Sequence, residues 1–254
     1  MIFEQEYKPV IEDFTEDGKV SLFAILKILE NTGNRHSDAV GDSVFVGRKN
    51  TQAWILTDWQ LEISSYPSYA DKIKAQTWSQ LLKSPVVATR DFILYKNDEV
   101  CVKGTTKWVL YDIATKHPCK IEQALLNKYQ PEDKSVFAEQ RLVKITEPSS
   151  FETEKRIAIR RSDVDFNGHI HNLLYLDYAL ETIPLEVYKK QNFAHLRISY
   201  KSAVTSDKEI VCKYACVDGN HLVYMQNPCN NNVFAAVVFN KNAHHFHWMY
   251  KVRD

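Results

Sequence analysis

Residues 161–172 read Arg-Ser-Asp-Val-Asp-Phe-Asn-Gly-His-Ile-His-Asn, and Asp163, Asp165, Asn167 and His169 fall at every second position. In an extended segment all four side chains leave from one face. A carboxylate, an amide and an imidazole then converge on one small volume, a set able to take a proton, orient a water and protonate a leaving group. Asn172 follows and an apolar run starts behind it, so Asn172 is expected to cap a helix N-terminus. The free N–H groups there, near Asn172 and Leu173, favour negative charge and could hold the oxyanion of an attacked carbonyl. The competing reading is a polar turn that does no more than start the helix.

Positioning such a row needs a fold, and the chain shows one written twice. Phe3-Glu4-Gln5-Glu6 opens the first copy and Phe151-Glu152-Thr153-Glu154 the second. Each opening leads through a polar turn into an apolar helix ending in Leu-Glu. The first, Leu22 to Glu30, has Ser21 as its cap, and Leu22, Ile25, Leu26 and Leu29 form its apolar stripe. The second, Leu173 to Glu181, is limited by Pro184. Leu61-Glu62-Ile63-Ser64 resembles Leu196-Arg197-Ile198-Ser199, and each leads to an Asp-Lys pair, Asp71-Lys72 and Asp207-Lys208. Further strands are expected at Val86–Lys96, Glu99–Asp112, Glu209–Val217, His221–Gln226 and Asn232–Asn240. One apolar helix and several alternating strands per copy imply an α+β unit, an antiparallel sheet wrapped around a helix. The boundaries expected are 1–125 for the first unit, 126–150 for a charged, proline-bearing and partly helical linker, and 151–254 for the second.

Composition excludes several classes. The 254 residues are 44% apolar, and 32 basic residues balance 32 acidic ones, so no basic field points to nucleic acid. Seven glycines include neither a dinucleotide fingerprint nor a phosphate loop. The apolar windows near Val20–Leu29 and Val233–Phe239 are too short for a membrane span. The N-terminus shows no basic segment followed by a long apolar one. The five cysteines form no Cys-x-x-Cys pair and suggest reduced thiols in a cytoplasmic protein. His244-His245-Phe246-His247 offers two imidazoles on one strand face but no matched partner nearby, so a surface strand end is favoured over a metal site. Glu181 lies two to three turns into an apolar helix and is either partnered in the site or at the helix edge. Glu30, its counterpart in the first copy, has no Asp-x-Asn-x-His row ahead of it.

Over nearly its whole length the chain resembles the acyl-acyl carrier protein thioesterases. The resemblance rests on Lys49-Asn50, Trp54, Tyr66-Pro67, Asp71, Thr77-Trp78, Arg90-Asp91 and Trp108 in the first copy. In the second it rests on Asp163 to His169 with Asn172, Tyr175 and Glu181. It implies two tandem hotdog domains, with catalysis in the second and much of the acyl pocket in the first, where Leu22, Ala24, Ile25, Leu29 and Trp54 are expected to bind substrate. It implies hydrolysis of fatty acyl-acyl carrier protein without metal or organic cofactor. Asp165 is expected to act as general base or nucleophile, Asn167 and His169 to hold water and carbonyl, and Glu181 to support them. Arg160, Arg161, Lys189 and Lys190 are candidates for meeting the acidic carrier, and a homodimer is left open. One departure stands out. Where the family often carries Tyr-Arg-Arg-Glu-Cys, this chain has Tyr200-Lys201-Ser202-Ala203-Val204, so neither a cysteine nucleophile nor a helping glutamate stands there. The alternatives are a hotdog dehydratase or hydratase, and an acyl-binding protein without catalysis.

Overall fold

Two Asn/Asp/Gly turns organise the sheets. Asn97 and Asp98 both adopt positive φ, and so do Asp218 and Gly219. Two consecutive positive φ values match the right-handed twist of flanking strands and close tight hairpins. In a computed structural model, which describes residues 1–43, 51–138, 142, 144–190, 192–205 and 208–241, these turns join β4 (Val87–Lys96) to β5 (Glu99–Asp112), and β9 (Glu209–Val217) to β10 (Asn220–Gln226). Lys49-Asn50, Asp207 and the 244–247 histidine run lie outside the described residues.

The chain forms two compact units, Met1–Gln140 and Arg141–Asp254. In the first, β1 (Phe3–Tyr7), β2 (Gln52–Ile63), β3 (Ile73–Ser79), β4 and β5 form an antiparallel sheet in the order β1-β3-β4-β5-β2, with the short β6 (His117–Pro118) beside β5. In the second, β7 (Thr153–Ala158), β8 (His195–Tyr200), β9, β10 and β11 (Val233–Asn240) run in the order β7-β9-β10-β11-β8. The two orders are the same, first-third-fourth-fifth-second, so the repeat read from the sequence is a repeat of topology.

Helix α1 (Leu22–Ala39) packs on β1 and β3, and α3 (Asn172–Thr182) packs on β7, β9 and β11. Ser21 caps α1 by accepting a hydrogen bond from Ala24 N–H at 3.1 Å. Leu22, Ile25, Leu26 and Leu29 are completely buried, each contributing roughly 1.5–3 kcal/mol of transfer free energy. The helix runs nine residues beyond Glu30. Its close approach to the sheet needs Gly104: a Cβ there would sit 2.7 Å from Leu61 Cδ2 and 3.6 Å from Leu29 Cδ1.

Much of the expected linker is fastened to the first unit. Helix α2 (Gln123–Tyr129) ends on Tyr129, whose hydroxyl bonds Asp42 Oδ2 at 2.6 Å and Ser37 Oγ at 3.0 Å. Trp78 Nε1 donates to Lys134 O, and Val136 N–H donates to Asp91 Oδ2.

Deep in the first unit, His36 is fully buried, stacked on Phe3 and edge-on to Tyr129. Arg90 Nη1 lies 2.8 Å from His36 Nδ1. A guanidinium can only donate, so Nδ1 is the acceptor and the ring is neutral with its proton on Nε2. Burial first, then the Arg90 charge, depresses its pKa to about 3. An unfolded chain binds the imidazole proton near pH 6.5, so stability held above that pH is lost as pH falls towards 3. The expected loss from His36 between pH 6.5 and 5 is up to about 2 kcal/mol. Comparing thermal midpoints at pH 7 and 5, His36→Gln should flatten this dependence; parallel behaviour of variant and parent would refute the assignment.

Candidate active site

The row Asp163–His169 is not an extended strand. A single 3-10 turn spans Arg161–Asp163, and Val164 and Ile170 then pair across a short antiparallel bridge. Between them the chain reverses. Asp165 N–H donates to His169 O at 2.7 Å, Gly168 N–H donates to Asp165 O at 3.0 Å, and Gly168 takes φ +77°. Within the turn Asp165 Oδ1 accepts from Asn167 N–H at 2.8 Å and from His169 N–H at 3.2 Å. An aspartate that bonds the backbone two residues on is a turn-forming device. Asp165 is half-buried, whereas Asn167 and His169 are exposed. Oδ1 is committed to the turn, which leaves Oδ2 for a donor such as water.

Asp163 therefore parts from the other three. It is 1% exposed and points inward. Tyr178 hydroxyl donates to its Oδ2 at 2.6 Å, Arg160 N–H to the same oxygen at 2.8 Å, and Arg160 Nε to Oδ1 at 2.9 Å. Burial opposes ionisation, but these bonds from Tyr178 and Arg160, with the guanidinium charge, hold the carboxyl below its ordinary range.

The turn is fastened to its surroundings at two further points. His171 N–H donates to Asp163 O, and Ile170 N–H donates to Val204 O at 3.1 Å. Val204 N–H in turn donates to the Tyr175 hydroxyl of α3. The segment that carries Ala203 thus lies against the turn, and Ala203 presents an exposed methyl there.

Several sequence expectations are corrected. The cap of α3 is His171, not Asn172; its Nδ1 accepts from Leu173 N–H at 3.4 Å. Leu173 N–H is therefore engaged, and Leu173 itself is buried. Asn172 supplies the first backbone N–H of the helix, one of the four that an α-helix leaves without an intrahelical partner. Glu181 sits nine residues further along, about 13 Å up the axis at 1.5 Å per residue. Its exposed carboxylate pairs with Lys155 Nζ at 3.2 Å, so it stands at the helix edge and not at the turn. In the first unit, Leu22, Ala24, Ile25 and Leu29 are 0–1% exposed, part of the packed core. Trp54 donates its Nε1 to Asp42 Oδ2 at 3.1 Å. Of the four basic candidates, Arg160 is tied to Asp163, while Arg161, Lys189 and Lys190 are exposed.

The first unit holds the same turn without the same side chains. Phe14 and Val20 pair, Thr15 N–H donates to Lys19 O at 2.8 Å, Gly18 takes φ +72°, and Ser21 N–H donates to Asp13 O. Asp13 is 1% exposed and accepts from Val10 N–H, Tyr7 hydroxyl and Lys27 Nζ. Superposing the turns by register pairs Asp13 with Asp163, Thr15 with Asp165, Asp17 with Asn167, Gly18 with Gly168 and Lys19 with His169. On that register the counterpart of Glu30 is Leu180, not Glu181. The signal was available in the sequence: Asp13-Phe14-Thr15-Glu16-Asp17-Gly18 aligns with Asp163-Val164-Asp165-Phe166-Asn167-Gly168 once Asp and Gly are matched.

Two tandem hotdog domains are the class this architecture defines. The structure is similar to that of a 12:0-ACP thioesterase from Umbellularia californica, at 15% identity, covering 94% of this chain and 96% of that one with a TM-score of 0.83. It is also similar to an acyl-ACP thioesterase from Bacteroides thetaiotaomicron, at 16% identity, covering 94% and 97% with a TM-score of 0.80. Residues 1–129 match the acyl-ACP thioesterase N-terminal domain and residues 146–232 the acyl-ACP thioesterase C-terminal domain. The chain belongs to the acyl-ACP thioesterase family. An oleoyl-acyl carrier protein thioesterase from Coriandrum sativum is 25% identical over 202 residues, 72% of this chain and 54% of that protein. The chain thus spans about half the length of such curated relatives.

Proposed function

We propose that the protein hydrolyses the thioester between a fatty acyl chain and acyl carrier protein, releasing fatty acid and carrier thiol. The observation that carries this reading is the turn at Asp165, Asn167 and His169, inside a family-matched domain, with the Asp165 Oδ2 oxygen turned to neither of its backbone donors. Asp165 takes a proton from water as the water oxygen attacks the carbonyl carbon. The Asn167 amide and the Asn172 N–H stabilise the oxyanion; one such donor is typically worth about 10²–10³ in rate. Collapse breaks the carbon–sulfur bond, and His169 helps the departing thiolate to its proton. A thiolate leaves readily, so the scheme calls on no metal or cofactor. The acyl chain is assigned to the first unit, entering its packed core along α1 at Leu22, Ala24, Ile25 and Leu29, with Trp54 of β2 as a further expected contact. Arg161, Lys189 and Lys190 are the charges offered to the acidic carrier.

The competing dehydratase chemistry removes water from a hydroxyacyl chain and leaves the thioester intact. Hydroxyacyl-carrier protein incubated with the protein and a thiol reagent separates the two: thiol release is expected, and an enoyl product on an intact thioester would refute hydrolysis.

Cysteine takes no part in this scheme. Cys101 and Cys212 are buried and their thiols are pushed up to about 12, which keeps them protonated and unreactive at neutral pH. Cys119, Cys216 and Cys229 lie outside the turn. Replacing all five by Ser or Ala should leave turnover per folded molecule within about threefold of the parent, at some loss of packing stability. A folded, cysteine-free protein without activity would revive a thiol mechanism.

A further inference from the structure

We propose that Asp163 is a positioning residue for the catalytic turn, an inference that rests on the hydrolytic reading above. Its atoms join three parts of the domain. The side chain receives Arg160 N–H and Arg160 Nε at the entry to the turn, and the Tyr178 hydroxyl from α3. Its main-chain oxygen receives His171 N–H at the exit. Entry and helix are thereby held to one buried carboxylate, and the exit to the main-chain oxygen of the same residue. The segment between, Val164 to Ile170, carries Asp165, whose hydrogen bonds among the described residues are internal to that segment. Displacing Asp163 frees the entry of the turn from α3 while Ile170 stays tied to Val204, and so shifts Asp165 relative to the first N–H of α3, which is where attacking water and oxyanion must meet. Misplacement of about 1 Å from a change remote from the chemistry can cost about 10²-fold in rate.

The first unit supplies the internal control. Asp13 is equally buried, receives Val10 N–H at 3.0 Å and holds Ser21 N–H through its main-chain oxygen. Its remaining partners differ in origin: Tyr7 comes from β1 and Lys27 from α1, whereas Tyr178 comes from α3 and Arg160 from the turn's own entry. The carboxylate has kept its place where Thr15, Asp17 and Lys19 replace the reactive set, so its local work is to hold a turn. Only in the second unit does holding that turn also set reacting groups.

The test compares Asp163→Asn with Asp13→Asn, the same chemical change at matched sites. With a single acyl-carrier substrate, Asp163→Asn should lower kcat by at least about tenfold and leave KM within about threefold. Asp13→Asn should lower the thermal midpoint comparably and leave kcat within about twofold. Backbone hydrogen exchange over 164–170 should rise in Asp163→Asn and not in Asp13→Asn, a readout that does not depend on which reaction is catalysed. Should Asp163→Asn fail to fold, Tyr178→Phe removes one bond to the same carboxylate and should lower kcat several-fold with KM unmoved. An unchanged kcat in folded Asp163→Asn or Tyr178→Phe, or an equal kcat loss in Asp13→Asn, overturns the inference. Faster exchange at the turn in a protein whose parent releases no thiol would instead overturn the hydrolytic reading and leave the anchor standing.

Discussion

Asp165→Asn is expected to lower turnover by at least about 10²-fold while the protein stays folded. The substitution is nearly isosteric, and an amide oxygen in the place of Oδ1 still accepts the Asn167 and His169 N–H groups that build the turn. The second oxygen becomes an amide nitrogen, which cannot take a proton from water. Steady-state thiol release, with the circular dichroism spectrum as the check on folding, measures both halves of this expectation. Near-parental turnover in the folded variant, with His169→Ala inactive, would move the role of base to the imidazole.

The largest stability effect is expected from Leu29→Ala. Leu29 is fully buried on α1 and stands against the bare backbone of Gly104. Truncating a buried leucine loses transfer free energy and leaves a cavity, for a cost of about 2–5 kcal/mol. The rigid strand at Gly104 cannot move in to fill the space, which argues for the upper part of that range. The assignment of the acyl chain to α1 adds a second outcome. On folded protein the preferred acyl length should increase, and because one methylene is worth about 1–3 kcal/mol the change should be graded. A destabilised variant with an unaltered length profile would leave Leu29 as core and remove α1 from the acyl pocket.

The elements were largely legible because their signals are local. Ser21 is a favoured cap and caps α1; β5 spans the expected Glu99–Asp112 and β9 the expected Glu209–Val217. The duplicated strand order follows from two similar runs of alternating residues. The closeness of Asp165, Asn167 and His169 was legible, but the shape of the segment that brings them together was not. Strict alternation from Asp163 to His169 imitates a strand, yet Asn167-Gly168 is a turn signal and Asp165 is a residue that bonds its own backbone ahead. Local turn chemistry overrode the period of two, and that turned Asp163 inward. The cap of α3 lies one residue before the position that sequence favours, because histidine is not a favoured cap, while Asn172 beside it is. Glu181 could not be decided from spacing, since the choice between partner and edge depended on Lys155 of β7, a tertiary neighbour.

Hydrolysis of acyl-carrier thioesters at this turn is tested by following both products at once. Purified protein incubated with saturated and unsaturated acyl-acyl carrier protein of several lengths should release free thiol and free fatty acid in equal amounts, catalytically. Tight binding of the acyl carrier with no thiol released at any chain length would rule out hydrolysis and leave a protein that holds acyl chains without cleaving them.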